Sequence, residues 1–133
     1  MKIVAYFMCL FVLLSASKCN NDGVKLSNTR WKVIELRQAN ATSSQLPTKD
    51  YILEFRDEKS LGIKLDINNC FGGYEVSAPG KISIQPLACT KACCDSEFAM
   101  QITATLSKMA TFKVKKEALI LEGEGKIRLE QLK

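Results

Sequence analysis

Four cysteines within 25 residues are the side chains most able to do chemistry in this chain: Cys70, Cys89, Cys93 and Cys94. They frame Asn69-Cys70-Phe71-Gly72-Gly73-Tyr74 and then Cys89-Thr90-Lys91-Ala92-Cys93-Cys94-Asp95. Four thiolates can hold zinc, but structural zinc sites usually place a Cys-x-x-Cys pair in each half. Here the first half has one cysteine and the second has three. In an oxidising compartment disulfides fit better. Adjacent cysteines bridge only with strain, so a Cys93–Cys94 bond is not expected. Cys70 then pairs with Cys93 or Cys94 while Cys89 takes the other, or Cys70 pairs with Cys89 and leaves two thiols. The preferred pairing is Cys70–Cys94 with Cys89–Cys93. The first bridge would tie the segment before a helix to the end of a strand and stabilise by about 2–4 kcal/mol. A reactive thiol pair is the sharper alternative, but the Cys-x-x-Cys spacing that tunes redox enzymes is missing.

Other catalytic chemistry finds little purchase. The chain has no histidine, so mechanisms that need an imidazole base or ligand are excluded. Gly72-Gly73 lacks the spacing and the Gly-Lys-Ser/Thr ending of a phosphate loop. Glu122 and Glu124 can be drawn as paired carboxylates, but a hairpin turn in water would leave both pKa values ordinary. No catalytic residue, no cofactor and no metal are therefore expected, and the protein is read as a non-enzyme.

The remaining two cysteines, Cys9 and Cys19, lie in or just after an apolar start. Lys2 is followed by an apolar run from Ile3 to Leu14 and by the small residues Ser15-Ala16-Ser17. This is the layout of a secretory signal, and the run is too short to span a bilayer as a helix. Residues 1–18 are thus expected to be a secretory or lipoprotein signal segment, 19–27 a tether and 28–133 the domain. Cleavage after Ser17 competes with lipidation of Cys19. Lys18 fits a bacterial lipobox poorly, yet a lipidated Cys19 leaves an even set of four cysteines to pair. The expectation is a lipid anchor on Cys19 and a place in the cell envelope, as an outer-membrane lipoprotein or in the periplasm, and otherwise secretion. Asn40-Ala41-Thr42 is a glycosylation sequon, meaningful only in a eukaryotic secretory path.

The elements that must position the cysteines follow from periodicity. After residue 30 apolar and polar residues alternate along Trp31–Arg37, Tyr51–Arg56, Leu61–Ile67, Lys81–Ile84, Thr111–Lys115, Ala118–Glu122 and Lys126–Leu132. Lys116-Glu117 and Gly123-Glu124-Gly125 sit at turn positions. One segment changes period: Phe98, Ile102, Leu106 and Met109 form a stripe on an amphipathic helix within Asp95–Ala110, capped by Asp95 or Ser96. Gln38–Lys49, with Pro47, reads as a surface loop.

The predicted fold is α+β: an antiparallel sheet of about 7–8 short strands, partly barrel-like, with one helix packed across it. Trp31, Phe55, Ile63, Leu65, Phe98, Ile102, Leu106, Leu121 and Leu129 should be core. A mature chain of about 114 residues supports one core, and a monomer is expected. The whole chain carries +5, and without Lys2 and Lys18 it has 17 basic and 14 acidic residues, or +3. Lys113, Lys115 and Lys116 are the densest basic group and suit a solvated sheet face better than a nucleic-acid site, which needs a broader basic patch.

Asn28-Thr29-Arg30-Trp31-Lys32-Val33 resembles the opening of the META/HslJ family of bacterial envelope proteins. Tyr51 to Phe55, Cys70 to Tyr74, Thr90 to Cys94, Glu97 to Met109 and Leu119 to Leu129 follow in the family's order. The similarity covers residues 28–132. The family's Gly-Cys-Asn stands here as Asn-Asn-Cys, and Cys89 and Cys93 are extra. The resemblance implies a non-enzymatic envelope protein linked to stress response and envelope integrity, often carrying a lipoprotein signal. Two alternatives remain: a secreted small binding module for an apolar ligand or a protease, and a thiol-active or metal-binding protein. The partner implied by the anchor is the membrane; the protein or small-ligand partner is unknown.

Overall fold

Alternating burial carries most of the chain into antiparallel strands. The computed structural model describes residues 23–133, so the expected signal segment and Cys19 lie outside the described residues. In chain order the strands are β1 (Thr29–Gln38), β2 (Ile52–Phe55), β3 (Ser60–Lys64), β4 (Asn69–Ala78), β5 (Lys81–Ile84) and β6 (Ala88–Cys89). Helix α1 (Glu97–Leu106) follows, then β7 (Met109–Lys115), β8 (Ala118–Gly123) and β9 (Gly125–Leu132). The strands neighbour one another in the order β3-β2-β1-β9-β8-β7-β5-β4-β6, and β3 also pairs with β4. That extra pairing closes eight strands into a barrel and leaves the short β6 outside it, on β4. Closure removes the free edges that an open sheet would present.

Leu53 and Phe55 of β2 point inward, as do Leu61 and Ile63 of β3, Leu119 and Leu121 of β8, and Ile127 and Leu129 of β9. Trp31, Val33 and Leu36 of β1 join them. The indole N–H of Trp31 is satisfied by the Thr29 hydroxyl at 2.7 Å, and Phe55 meets Tyr74 edge-on with ring centroids 4.9 Å apart. An eight-stranded barrel is just wide enough for side chains to fill, and these residues fill it.

Tight turns set the register. Lys116 takes a left-handed conformation between β7 and β8, and Gly80 does so between β4 and β5. Gly125 opens β9 at φ +109, where a Cβ would come within 2.6 Å of the Arg37 carbonyl; only glycine fits there.

Because neighbours run antiparallel, the ends of β1, β3, β5 and β8 and the starts of β2, β4, β7 and β9 share one end of the barrel. Helix α1 sits at that end, against β1 and β9. Ser96 caps it by accepting from the Ala99 N–H, and Glu97 occupies its first turn, where an acid complements the helix dipole. Ala99, Ile102, Thr105 and Leu106 are its buried residues. Phe98, expected in the core, is only partly buried and packs against it, with its ring 5.6 Å from that of Tyr51. Met109, expected on the helix, starts β7 and is buried there. The expected antiparallel, barrel-like sheet with one packed helix is thus what forms, and the helix takes its place at one end of the closed barrel.

At the opposite end the chain enters. Leu26 is 2% exposed and belongs to the core, so the expected tether, residues 19–27, already contributes a core side chain. Among the described residues no helix is long and apolar enough to cross a membrane.

Candidate functional site

The alternation over Leu61–Ile67 predicts a strand that runs through Asp66 and Ile67, with Asp66 on the outer face and Ile67 on the inner one. In the structure β3 ends at Lys64, Ile67 is exposed, and Asp66-Ile67-Asn68 forms the turn into β4. Asn68 is buried. Its carboxamide N–H groups donate to the Ala92 carbonyl at 2.7 Å and to Asp95 Oδ2 at 2.6 Å. Its oxygen accepts from the Thr90 hydroxyl and from the Ala92 N–H, each at 2.8 Å. Both donors and both acceptor positions of the side chain are thus used.

Two neighbours complete this latch. Asp95 Oδ1 accepts from the N–H of Ile67 at 2.8 Å and of Asn68 at 3.2 Å. The Thr90 hydroxyl accepts from the Asn69 N–H, and the Thr90 N–H donates to the Asn69 carbonyl, each at 3.0 Å. Partial burial pushes the Asp95 carboxyl up, but the hydrogen bonds from Ile67 and Asn68 outweigh it and hold the carboxyl below its usual range.

The covalent tie lies beside the latch. Cys70 of β4 stands opposite Cys89 of β6 in the antiparallel register, and the two are disulfide-bonded. This corrects the expected Cys70–Cys94 and Cys89–Cys93 pairing. The reason is β6 itself: two residues of strand, too short to leave a periodic signal, bring Cys89 directly over the buried Cys70. Cys93 and Cys94 are joined to each other, against the expectation that adjacent cysteines would not pair. Both are exposed, as is Cys89, while Cys70 is fully buried.

Next to the latch, Asp66 gathers the helix start. Its Oδ2 accepts from the Ser96 hydroxyl at 2.6 Å and the Ser96 N–H at 2.8 Å. Its Oδ1 accepts from the Tyr51 hydroxyl and from Lys49 Nζ, each at 2.9 Å. The Ser96 hydroxyl, its N–H, Lys49 and Tyr51 together hold the Asp66 carboxyl far below the ordinary range. Asp66 in turn raises the pKa of Lys49, and burial raises that of Tyr51. A serine, a lysine and an aspartate in contact invite a nucleophilic reading. The hydrogen bonding argues against it: Ser96 donates its hydroxyl to Asp66, a carboxylate held this far below its usual range is a poor base, and Lys49 is held in its charged form by Asp66. The arrangement anchors the helix N-terminus.

Sequence reasoning singled out Cys70, Cys89, Cys93 and Cys94, and the structure brings them into one region. It missed Asp66, Asn68, Thr90 and Asp95 as the residues that hold them. Asp66-Ile67-Asn68-Asn69 is dense in turn-forming side chains directly after a clean strand, a signal that was available. Strand β4 was also missed, because Gly72-Gly73 interrupts its pattern. A Cβ on Gly72 would meet Leu87 at 2.5 Å and one on Gly73 would meet the Gln85 side chain at 3.0 Å, so the glycines let the β5–β6 connection cross closely over β4. Glu122 and Glu124 flank Gly123 at the β8–β9 turn and face Lys126 at 3.9 Å and Lys108 at 3.6 Å. At the other barrel end, an open groove of about 770 Å³ runs between residues 23–27 and the outer surface of β4 and β5, beside Lys59, Glu75 and Ser83.

Comparison with known proteins places this architecture. A solved structure, the NMR structure of the protein from Burkholderia xenovorans, superposes with a TM-score of 0.65 at 15% identity, covering 80% of this chain and 83% of that one. At that identity the likeness concerns the fold. No curated protein matches the sequence. The family model of the META domain matches residues 24–133, a span that begins two residues before the buried Leu26 and ends with the chain after β9. It takes in the whole barrel, the helix and the latched cysteine loop: the chain belongs to the META domain family.

Proposed function

We propose that this META-domain protein is an exported component of the cell envelope, held to the membrane by lipid on Cys19, that serves envelope integrity or stress resistance without catalysing a reaction. The observation that carries the reading is the signal-like start, Lys2 with the apolar run Ile3–Leu14 and the small residues before Cys19, ahead of a domain whose four cysteines pair among themselves. Disulfides belong in an oxidising compartment, and none of the four domain cysteines is left to pair with Cys19. The non-catalytic part draws on the chemistry of the polar cluster at the helix start. Asp66 and Asp95 spend their oxygens on backbone and side-chain donors, and Lys49 is neutralised by Asp66.

Cys19→Ser tests the anchor. The variant is expected in the soluble fraction, with the parent in the membrane fraction. Unchanged membrane association, or a native N-terminus at Lys18, contradicts the anchor. The intact mass of the mature protein from its native host reports cleavage, lipid and both disulfides together.

The groove beside residues 23–27 favours a second reading, a small binding module. The barrel interior is filled by its own side chains, so a ligand would take an outer groove such as this one. Native mass spectrometry that finds a co-purified small molecule, lost on Ser83→Trp, would move the reading there.

A further inference from the structure

Cys93 and Cys94 are the cysteines that the architecture does not use. Cys70–Cys89 ties β6 to β4 across 19 residues of chain, whereas a bond between adjacent residues encloses no further chain and links no two elements. In the chain-entropy view such a bond adds least to stability. The loop that carries the pair is held without it, from both sides and by the same residue. Ala92, just before Cys93, gives its N–H and carbonyl to Asn68, and Asp95, just after Cys94, takes the Asn68 N–H and side chain. Opening the Cys93–Cys94 bond therefore removes no anchor of the loop. Both cysteines of this pair are exposed on the clamped segment, whereas the other bridge joins one exposed cysteine, Cys89, to the fully buried Cys70, so it offers an attacking thiolate one residue rather than two. Thiol–disulfide exchange requires a thiolate to reach a disulfide sulfur, so access decides which bond reacts first.

We propose that Cys93–Cys94 is a two-electron thiol–disulfide exchange site, taking a dithiol reductant from solution, while Cys70–Cys89 stays closed. A thiolate of the dithiol attacks one of the two sulfurs, forms a mixed disulfide and releases the other cysteine as a thiolate. The second thiol of the reductant then resolves the mixed disulfide. The protein gains two electrons and two protons, and the dithiol leaves as its disulfide. In the reduced state the adjacent thiols suit one soft, thiol-seeking centre such as a trivalent arsenical. The site stands independently of the lipid anchor and of any envelope role.

The test uses the oxidised full-length protein, purified without reductant and titrated with dithiothreitol under native conditions at neutral pH. Samples are quenched, alkylated and mapped by peptide mass spectrometry. Cys93 and Cys94 are expected to label together at a dithiothreitol concentration about tenfold or more below that needed for Cys70 and Cys89. The half-reduced protein should keep its circular dichroism spectrum, bind one equivalent of phenylarsine oxide and close again with oxidised glutathione. Cys93→Ser should keep the Cys70–Cys89 bridge and lose stoichiometric arsenical binding. Opening of Cys70–Cys89 at the same or a lower concentration overturns the proposal. So does a Cys93–Cys94 pair that is alkylated before any reductant is added and does not close with oxidised glutathione.

Discussion

The two ends of the barrel are closed by different means. At one end helix α1 inserts Ile102 and Leu106 into the core, and its N-terminus is fixed by Asp66 while the preceding loop is fixed by Asn68, Asp95 and the Cys70–Cys89 bridge. At the other end the incoming chain supplies one buried side chain, Leu26, whose carbonyl accepts the Thr29 hydroxyl. There the β2–β3 turn is held locally: Asp57 accepts from the Ser60 hydroxyl and from the N–H groups of Lys59 and Ser60, which lowers its pKa. The Tyr74 hydroxyl donates to the Asp57 carbonyl at 2.6 Å. One end thus depends on contacts between residues 19 to 45 positions apart, the other mainly on turns of two or three residues, with the Tyr74–Asp57 contact as its one longer tie among those named. Long-range ties must be specified by several side chains at once, so the latched end should be more sensitive to single substitutions.

The largest effect is expected in the helix plug. Leu106→Ala should destabilise the protein by roughly 2–5 kcal/mol, since it empties a fully buried site. Urea unfolding measures this, and a loss within about 0.5 kcal/mol, the range of ordinary surface sites, would mean that the helix does not plug the barrel. Cys89→Ser should cost about 3 kcal/mol by releasing a loop of this length, and the same unfolding experiment checks it. Leu26→Ala, at the simpler end, should fall near the bottom of the range for buried leucines, about 2 kcal/mol, because the described residues before β1 form no strand or helix of their own for it to anchor. A cost exceeding that of Leu106→Ala would reverse the ranking of the two ends.

Smaller still is the effect of pH, and it too separates the ends. Asp66 and Asp95 have folded pKa values depressed below the unfolded value near 4. Their stabilising contribution is present above that value and is lost as pH falls below it, when the unfolded chain binds more protons. The melting temperature should therefore drop as pH is lowered from 5 towards 2. Asp57 titrates with the same sign at the other end, so the discriminating measurement is the slope in variants. Asp66→Asn should flatten the acid dependence more than Asp57→Asn, because Asp66 holds four donors from three residues spread over the helix start and the loop before β2. An equal flattening would remove the distinction.

The same contrast explains what could be read in the sequence. Elements with clean periodicity were legible: Leu53 and Phe55, Leu61 and Ile63, and the helix stripe Ile102–Leu106 occupy the expected faces. The resemblance carried by Trp31-Lys32-Val33 and the order of the later segments pointed to the META domain, whose model matches the chain. What escaped was long-range and polar. Asn68 is one polar residue among several in a turn, and only folding shows that Thr90, Ala92 and Asp95 converge on it. The disulfide pairing escaped for the same reason, because it depends on the two-residue strand β6 lying over Cys70. Period-two reasoning also placed Asp66 outward by continuing β3 too far, when the chain had already turned to cap the helix.

Native-state hydrogen exchange tests the central claim most directly, namely that the cysteine loop and the β3–β4 turn form one latched unit. The amides of Ile67, Asn68, Asn69, Thr90, Ala92 and Ser96 all donate within this network. They should be protected together, and Asn68→Ala should accelerate all six while leaving the Lys59 and Ser60 amides at the opposite end unchanged. Fast exchange of Thr90 and Ala92 in the parent protein, or acceleration confined to residues adjoining position 68, would contradict the latch.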